Sequence, residues 1–573
     1  MKIEQIEITK FRSIKHARIV MHDITAIVGE NNAGKTAILR ALNAVMNYEQ
    51  EKEAFVTYRH QFSAKCNSKI IITFTDIPDI FNEKSYNQKL TLEFVYKYGS
   101  HKESFSIIKG RDSIERIDSS FMDQLATHIK YVYIPSDRTN RDISWDDDSI
   151  FKQLVLGYVA QHTENRDTLS SPVRHATDKI HDSALVKLER TINGLYMQNK
   201  DVDFQISFPQ DIDYSVLLEK ATFSLKEYGR NLPLQEWGSG TKSLAIIAIH
   251  RAQALLHKTS IVLGIEEPEV NLHPQAQKKF IMSLKDNRHI NETQSIFTTH
   301  STVLVDSLKH EDIVLVRRIP DERGFVSEIH QLSNDFWAHN NIDEFRHYQF
   351  FNYKNSDFFF SKYVVIAESK NDCQILEHLI TPSINDYAAD VSYIDAGGTG
   401  SLIYPFFLLQ ELRIPFTIVV DKDYLFNYKV NNDFEKSRDP KTGLPCYSQV
   451  LNRTPIINIL FPLESEKIKI ENANKSGYRA LFSVIKDRNI VCMQYNLEAD
   501  LTCSKQARDM YYNALNIPPM SQSQQLLLKN YKDKIKSGST IIPIVESLPH
   551  RAMPESYCKI KNHIIEQIHR SLG

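Results

Sequence analysis

Apolar positions along the chain gather into short runs that alternate with stretches of helical period. Ile3-Glu-Gln-Ile-Glu-Ile-Thr9 alternates as a half-buried strand, residues 24–28 are apolar throughout, and residues 37–45 repeat as a helix. Further on, 244–256 reads as a helix, 261–265 as a buried strand, and a strand opens at Ile296. Between these, about 144–220 shows helical period at 151–158 and 184–196 around polar 163–171, which predicts a helical insertion. After a polar and aromatic stretch, 334–360, the pattern resets. Strands at 363–367, 391–394 and 416–420 alternate with helices at 373–380 and 402–412. Fully apolar strands separated by helices imply parallel sheets covered on both faces. The expectation is an α/β chain with a larger part at 1–331, a linker at 332–360 and a smaller parallel-sheet domain at 361–573.

The ends of these runs carry the chemistry. The run 24–28 leads into Gly29-Glu-Asn31-Asn32-Ala-Gly34-Lys35-Thr36, which matches G-x-x-x-x-G-K-[ST] in its strand–loop–helix setting. Bare glycine backbone and a helix N-terminus face phosphate oxygens there; Lys35 would reach the β- and γ-phosphates and Thr36 would ligate Mg²⁺. The strand 261–265 ends in Glu266-Glu267-Pro-Glu269. Glu266 is assigned to the metal of the nucleotide, Glu267 to the attacking water, and His300 at the next strand tip to sensing the γ-phosphate. Gly238-Ser239-Gly240 opens a helix and forms a second anion site. One ATP needs one phosphate loop, so Ser239 and Gly240 are expected to meet ATP held by a second subunit.

Composition narrows the class. The chain has 573 residues, too many for one core, with 42% hydrophobic and 24% charged residues as in ordinary globular proteins. No apolar run approaches the roughly 20 residues of a membrane span, and the N-terminal pattern is a strand rather than a signal peptide. Six cysteines without a close pair suggest neither a zinc knuckle nor a disulfide framework, which fits a reducing cytoplasm. A net charge of −2 gives no global sign of nucleic-acid binding but leaves room for a local basic groove.

In the smaller domain Glu368 follows the first strand, Gly397-Gly398 the second, and Asp421-Lys-Asp423 the third. Such groups collect at the carboxyl edge of a parallel sheet. Asp421 and Asp423, two apart on an extended tip, are expected to face one side. With Glu368 they form a hard oxygen site suited to Mg²⁺ or Mn²⁺.

The order phosphate loop, Gly-Ser-Gly helix, Glu-Glu-Pro strand and histidine resembles the ABC-type ATPase head of DNA-repair and chromosome-organising proteins, which implies a head-to-head dimer. Glu368, the Gly397-Gly398 turn and Asp421-x-Asp423 resemble the Toprim fold. Together they resemble the OLD (overcoming lysogenisation defect) family of ATP-dependent nucleases, which includes Gabija nucleases and retron-associated effectors. Glu266-Glu-Pro-Glu-Val-Asn-Leu-His-Pro274 carries that resemblance furthest in the head. The resemblance implies ATP and divalent metal as cofactors, and Glu368, Asp372, Asp421, Asp423 and Glu498 as metal ligands, with Asp500 beside them. It implies nucleic acid as partner, DNA ahead of RNA, at least a dimer, and a defence-system partner such as a helicase or a retron reverse transcriptase with its DNA. The chain has Ser369 where the family has glycine. Lys529 and Lys536 are the candidates for the family's late lysine. The expected function is therefore an ATP-hydrolysing, metal-dependent DNA endonuclease in anti-phage defence. Its rivals are a DNA-tethering ATPase with a non-cleaving Toprim domain, a Toprim RNase, and a topoisomerase for which no tyrosine is marked.

Overall fold

The computed structural model describes all residues except 65, 111–112, 139–150, 153, 156–178, 197–201, 208–221, 228, 234–235, 258, 286–292, 323, 352–355 and 573. The chain divides into two compact units, Met1–Gln331 and Leu332–Gly573. Most of the expected insertion, including its polar centre at 163–171, lies outside the described residues. Its second helical stretch is present as a π-turn, His181–Leu185, running into a helix, Val186–Leu195.

Unit one contains strands β1 (Lys2–Phe11), β2 (Ile14–Val20), β3 (Ile24–Val28), β4 (Ser68–Thr75), β5 (Leu90–Lys97), β6 (Lys102–Ile108), β7 (Ile114–Arg116), β8 (Ile129–Ile134), β9 (Val202–Ser207), β10 (Thr222–Glu227), β11 (Arg230–Leu232), β12 (Ser260–Glu266), β13 (Thr293–Thr299), β14 (Ile313–Asp321) and β15 (Gly324–Gln331). Twelve of them form one sheet in the order β7-β6-β5-β4-β1-β2-β15-β14-β3-β13-β12-β8. Its two ends differ in kind. From β7 to β2 neighbours run antiparallel, and the alternation in β4 (buried Ile70, Ile72 and Phe74) keeps one face dry. From β14 through β3, β13 and β12 to β8 every pair is parallel. Strand β3 is buried at all five positions and β13 at all seven, which is why their sequences do not alternate. The parallel set brings five strand ends to one carboxyl edge. Strands β9 to β11 form a separate antiparallel sheet on the helix Val186–Leu195, with Asn193 donating to and accepting from the backbone of Phe204.

Unit two has β16 (Tyr363–Ala367), β17 (Val391–Asp395), β18 (Phe416–Val420) and β21 (Ile490–Cys492) in one parallel sheet ordered β17-β16-β18-β21. A two-stranded ribbon, β19 (Phe426–Tyr428) with β20 (Tyr447–Leu451), follows β18. The stretch read as a linker is partly folded: helices Phe336–His339 and Glu344–Phe351 bury Phe336 and His347 within this unit.

Candidate functional site

In unit one the phosphate loop leaves β3 and enters the helix Lys35–Met46. Gly34 sits at φ 105°, and a Cβ there would come within 2.2 Å of Ser327 Oγ, itself fixed by Ser13 Oγ and the carbonyl of Ala33. Only glycine fits. No side chain caps the helix start; Ala37 N donates to Gly34 O at 3.0 Å, and the N–H groups ahead of it suit an anion. Asn31 and Asn32 are exposed on the loop and Thr36 is half-buried. Lys35 is buried and donates to the carbonyls of Gly29 (3.1 Å) and Glu30 (2.9 Å). Burial lowers its pKa to about 8, against the attraction of Glu267, Glu269 and Glu30.

The carboxyl ends of β12 and β13 close the same edge. Glu266 accepts from Ser136 N at 3.4 Å through one oxygen, while its other oxygen is buried without a hydrogen-bond partner. Glu267 holds φ at 42°, a left-handed conformation that costs about 1 kcal/mol or more for a residue with a side chain. Its N–H is held by Thr298 O at 3.0 Å, and its carboxylate lies 3.9 Å from His300 Nε2. The main-chain N–H of His300 donates to Glu269 at 2.7 Å. Burial, then Lys35, lowers the His300 pKa to about 4, so the ring is neutral near pH 7. Arg138, which no sequence motif marked, donates to the main-chain carbonyls of Glu266 and Glu267 and braces this turn. Phosphate loop, glutamates and histidine thus converge. Ser239 is exposed at the start of the helix Ser239–His257, and no described hydrogen bond ties it to residues 29–36. Gly240 packs on the loop after β12, where a Cβ would meet Asn271 O at 2.5 Å.

In unit two, Glu368 leaves β16 and accepts from Asp421 N at 3.0 Å. Ser369 takes φ −140° and ψ 165°, extended backbone open to any residue, and caps the helix Lys370–Ile384 by accepting from Asp372 N. Its hydroxyl donates to the Asp372 carboxylate at 2.8 Å, so serine orients a carboxylate where glycine could not. Gly398 N donates to Glu368 O at 3.0 Å and fixes the glycine turn against the same strand end.

One expectation fails here. The chain does not stay extended past Asp421; it turns into a short helix, Lys422–Leu425, for which Asp421 is the N-cap. The period-two argument therefore lapses, and the two aspartates face different spaces. Asp421 lines a cavity of about 480 Å³ with Glu368, Asp372, Asp395, Glu498 and Lys536. Asp423 lines an adjoining cavity of about 410 Å³, with Glu368 as the shared wall, and accepts from the Tyr428 hydroxyl at 2.8 Å. Asp500 joins neither: both its oxygens accept backbone N–H groups, of Gln494 and Tyr495. Lys536 pairs with Glu498 at 3.2 Å, whereas Lys529 is not among the residues lining either cavity. Asp395 and Tyr428 are site residues that sequence reading missed.

Too many carboxylates share too little positive charge. Burial first, then neighbouring acids, raises Glu368 to about 7 and Asp421 well above its ordinary range; burial raises Asp372 and Glu498 as well. The hard oxygen donor set fits Mg²⁺ or Mn²⁺ in chemistry. As the side chains stand, no three acidic, histidine or cysteine groups among the described residues are gathered tightly enough to hold an ion.

Comparison with known proteins follows the same division. Residues 24–306 match the model "AAA domain, putative AbiEii toxin, Type IV TA system". Residues 359–423 match the model "Overcoming lysogenization defect protein-like, TOPRIM domain". An OLD nuclease of Thermus scotoductus is 24% identical over 74% of this chain and 82% of its own length. Endonuclease GajA of Bacillus cereus (strain HuB5-5) is 22% identical over 82% and 81% respectively, and the Old nuclease of Escherichia phage P2 is 21% identical over 74% and 78%. Among solved structures, an Smc head bound to the C-winged helix domain of ScpA covers 58% of this chain with 14% identity and a TM-score of 0.42. Among the described residues no helix is long and apolar enough to cross a membrane.

Proposed function

We propose that this chain, which joins an AAA-type ATPase domain to an OLD-like Toprim domain, is an ATP-hydrolysing, divalent-metal-dependent endonuclease acting on DNA in anti-phage defence. The observation that carries the reading is the carboxylate edge of unit two. Glu368, Asp372, Asp421 and Glu498 meet around one cavity with Lys536, their pKa values raised by burial and, for Glu368 and Asp421, by neighbouring acids. A pure tether has no use for such a cluster. A divalent cation held by Glu368, Asp372, Asp421 and Glu498, with Asp423 on the adjoining side, would make water more acidic and neutralise charge on the phosphate. Glu368, from its place between the two cavities, orients both groups of ligands. Lys536 offers a cation to the phosphate oxygens or to the departing sugar oxygen as the phosphorus–oxygen bond breaks and water's oxygen takes its place. The relatives named as nucleases over most of their length support this class of reaction.

In the head, Lys35 and the uncapped helix start bind the triphosphate, and Thr36 and Glu266 hold its Mg²⁺. Glu267 orients the attacking water, with neutral His300 beside it, and exposed Ser239 with Gly240 completes the site of a second subunit in a dimer. The test is purified protein with supercoiled plasmid, linear DNA and structured RNA in Mg²⁺ or Mn²⁺, with and without ATP. Nicking that disappears with EDTA supports the reading, and cutting that ignores EDTA overturns it.

A further inference from the structure

A row of lysines runs up to the carboxylates of unit two from one side. The helices Gln524–Asn530 and Lys532–Lys536 continue through Tyr531, whose N–H donates to Leu527 O at 3.2 Å and whose carbonyl accepts from Ile535 N at 2.9 Å. Leu528 and Ile535 bury one side of this segment. Lys529, Lys532 and Lys536 stand at i, i+3 and i+7 and share the face beside it. Lys536 is tied to the larger cavity by its ion pair with Glu498 at 3.2 Å. Lys532 is tied to the smaller one through rings. Its Nζ lies 4.1 Å from the centroid of Phe434, which meets Tyr428 edge-on at 5.2 Å, and Tyr428 donates to Asp423 at 2.8 Å. Arg438 locks this arrangement, stacking on Phe434 at 4.2 Å and donating to Leu528 O at 3.0 Å. Among the described residues neither Lys529 nor Lys532 forms an ion pair. Glu435, on which both act, already gives its two oxygens to Arg438, and Asp533 is the one acid of the segment.

We infer that this row holds the phosphates of one DNA strand on one side of the cut, with Lys536 at the scissile phosphate and Lys532 and Lys529 at those that follow. The inference rests on the nuclease reading, which puts the scissile phosphate at Glu368. Seven residues of helix span about 10 Å, the rise of about three nucleotides of one strand. Cations whose charge the fold does not use, fixed in line with an acidic site, suit a polyanion that must be held beside that site against its repulsion. Such contacts set where the strand lies and carry no base preference.

The salt dependence of DNA binding by the full-length chain tests it. Affinity for a fluorescein-labelled duplex is read by anisotropy over a salt series, on Asp421→Ala protein in EDTA so that nothing is cut. Each lysine that neutralises a phosphate steepens the fall of log affinity with log salt by about 0.9. Adding Lys529→Gln with Lys532→Gln should make that slope shallower by about 2 and weaken binding about tenfold, with ATP turnover unchanged. Lys529→Arg with Lys532→Arg should keep both slope and affinity. Lys469→Gln with Lys475→Gln removes the same charge from the exposed face of the helix Glu464–Ser476 and should change neither. An unchanged slope in the 529/532 glutamine variant, or an equal change in the 469/475 variant, overturns the row and leaves the nuclease standing. A changed slope confined to the 529/532 variant, in a protein whose native form cuts nothing, removes the nuclease and keeps the row as a DNA contact. No binding of DNA by any form overturns both.

Discussion

At the carboxyl edge of the head sheet, Glu267, Glu269 and Glu30 all act on a single buried lysine, Lys35. At the carboxyl edge of the four-stranded sheet, Glu368, Asp372, Asp395, Asp421 and Glu498 share a cavity with Lys536. Both edges arise from parallel strands that are buried on both faces and that set down functional groups at one end. Their electrostatics point in opposite directions. Burial depresses the lysine of the head to about 8, where an uncapped helix start adds positive potential that suits an anion. Burial raises the carboxylates of the second unit, a set that suits cations. One architecture thus makes a phosphate receptor or a metal receptor according to which side chains end its strands.

The sharpest way to break this contrast is to change one edge and read both activities. Asp421→Ala should lower phosphodiester cleavage by about three tenfold factors, equivalent to about 4 kcal/mol of transition-state stabilisation. ATP hydrolysis should be unchanged. Cutting at the native rate by that variant would remove the metal site. The mirror experiment is Lys35→Ala, which should lower ATP turnover at least a hundredfold with the fold intact. Glu267→Gln should instead retain bound ATP while stopping hydrolysis, measured by phosphate release and nucleotide retention. Native turnover in the Lys35 variant would mean that the head does not use this loop.

A pH experiment sharpens the contrast, because a carboxylate with a raised pKa destabilises its fold once pH passes its unfolded value. Burial, then the neighbouring Asp423 and Asp372, raises the Glu368 carboxyl to about 7 in the folded protein, against an ordinary value of 4.5. Between those limits the folded state holds the extra proton, so stability is present below 4.5 and falls as pH rises to 7. Glu368→Gln should therefore raise the unfolding free energy of EDTA-treated protein at pH 8, by an amount on the order of 2 kcal/mol in denaturant titration, and leave it nearly unchanged at pH 4.5. An equal effect at both pH values would show that Glu368 is not held against its charge.

The parts of this picture legible in the sequence are those where a local pattern and a local chemistry coincide. Apolar runs ending in Gly29, Glu266, Glu368 and Asp421 announced both the strands and their tips. What stayed hidden depended on how the chain turns after the tip. Asp421 and Asp423 look paired in an extended chain, yet one helical turn at Lys422–Leu425 sends them to different cavities. Lys536 joins the acidic cluster from a helix more than a hundred residues after Asp421, and its ion pair with Glu498 and its place in the cavity wall separate it from Lys529. Arg138 acts through backbone carbonyls, a role that leaves no trace in residue spacing. Asp500, beside Glu498 in sequence, is spent on backbone N–H groups because successive helical residues face different ways.

The smallest effect concerns Ser369, where the resemblance led one to expect glycine. Its backbone is extended, so a glycine there would relieve no strain. What serine adds is a cap on the helix Lys370–Ile384 and a hydrogen bond to Asp372. Replacing an N-cap serine by alanine costs about 1 kcal/mol, and by glycine only a few tenths. Ser369→Gly should thus leave stability almost unchanged, and Ser369→Ala should lower it measurably in denaturant titration. Both lose the donor that fixes the Asp372 carboxylate, so both should need several times more Mn²⁺ for half-maximal cleavage. The loss of a group that orients a ligand costs metal affinity on the order of 10-fold or more in comparable sites. A shift in metal demand in the alanine variant alone would mean that the cap, rather than the bond to Asp372, is what serine contributes to this half of the site.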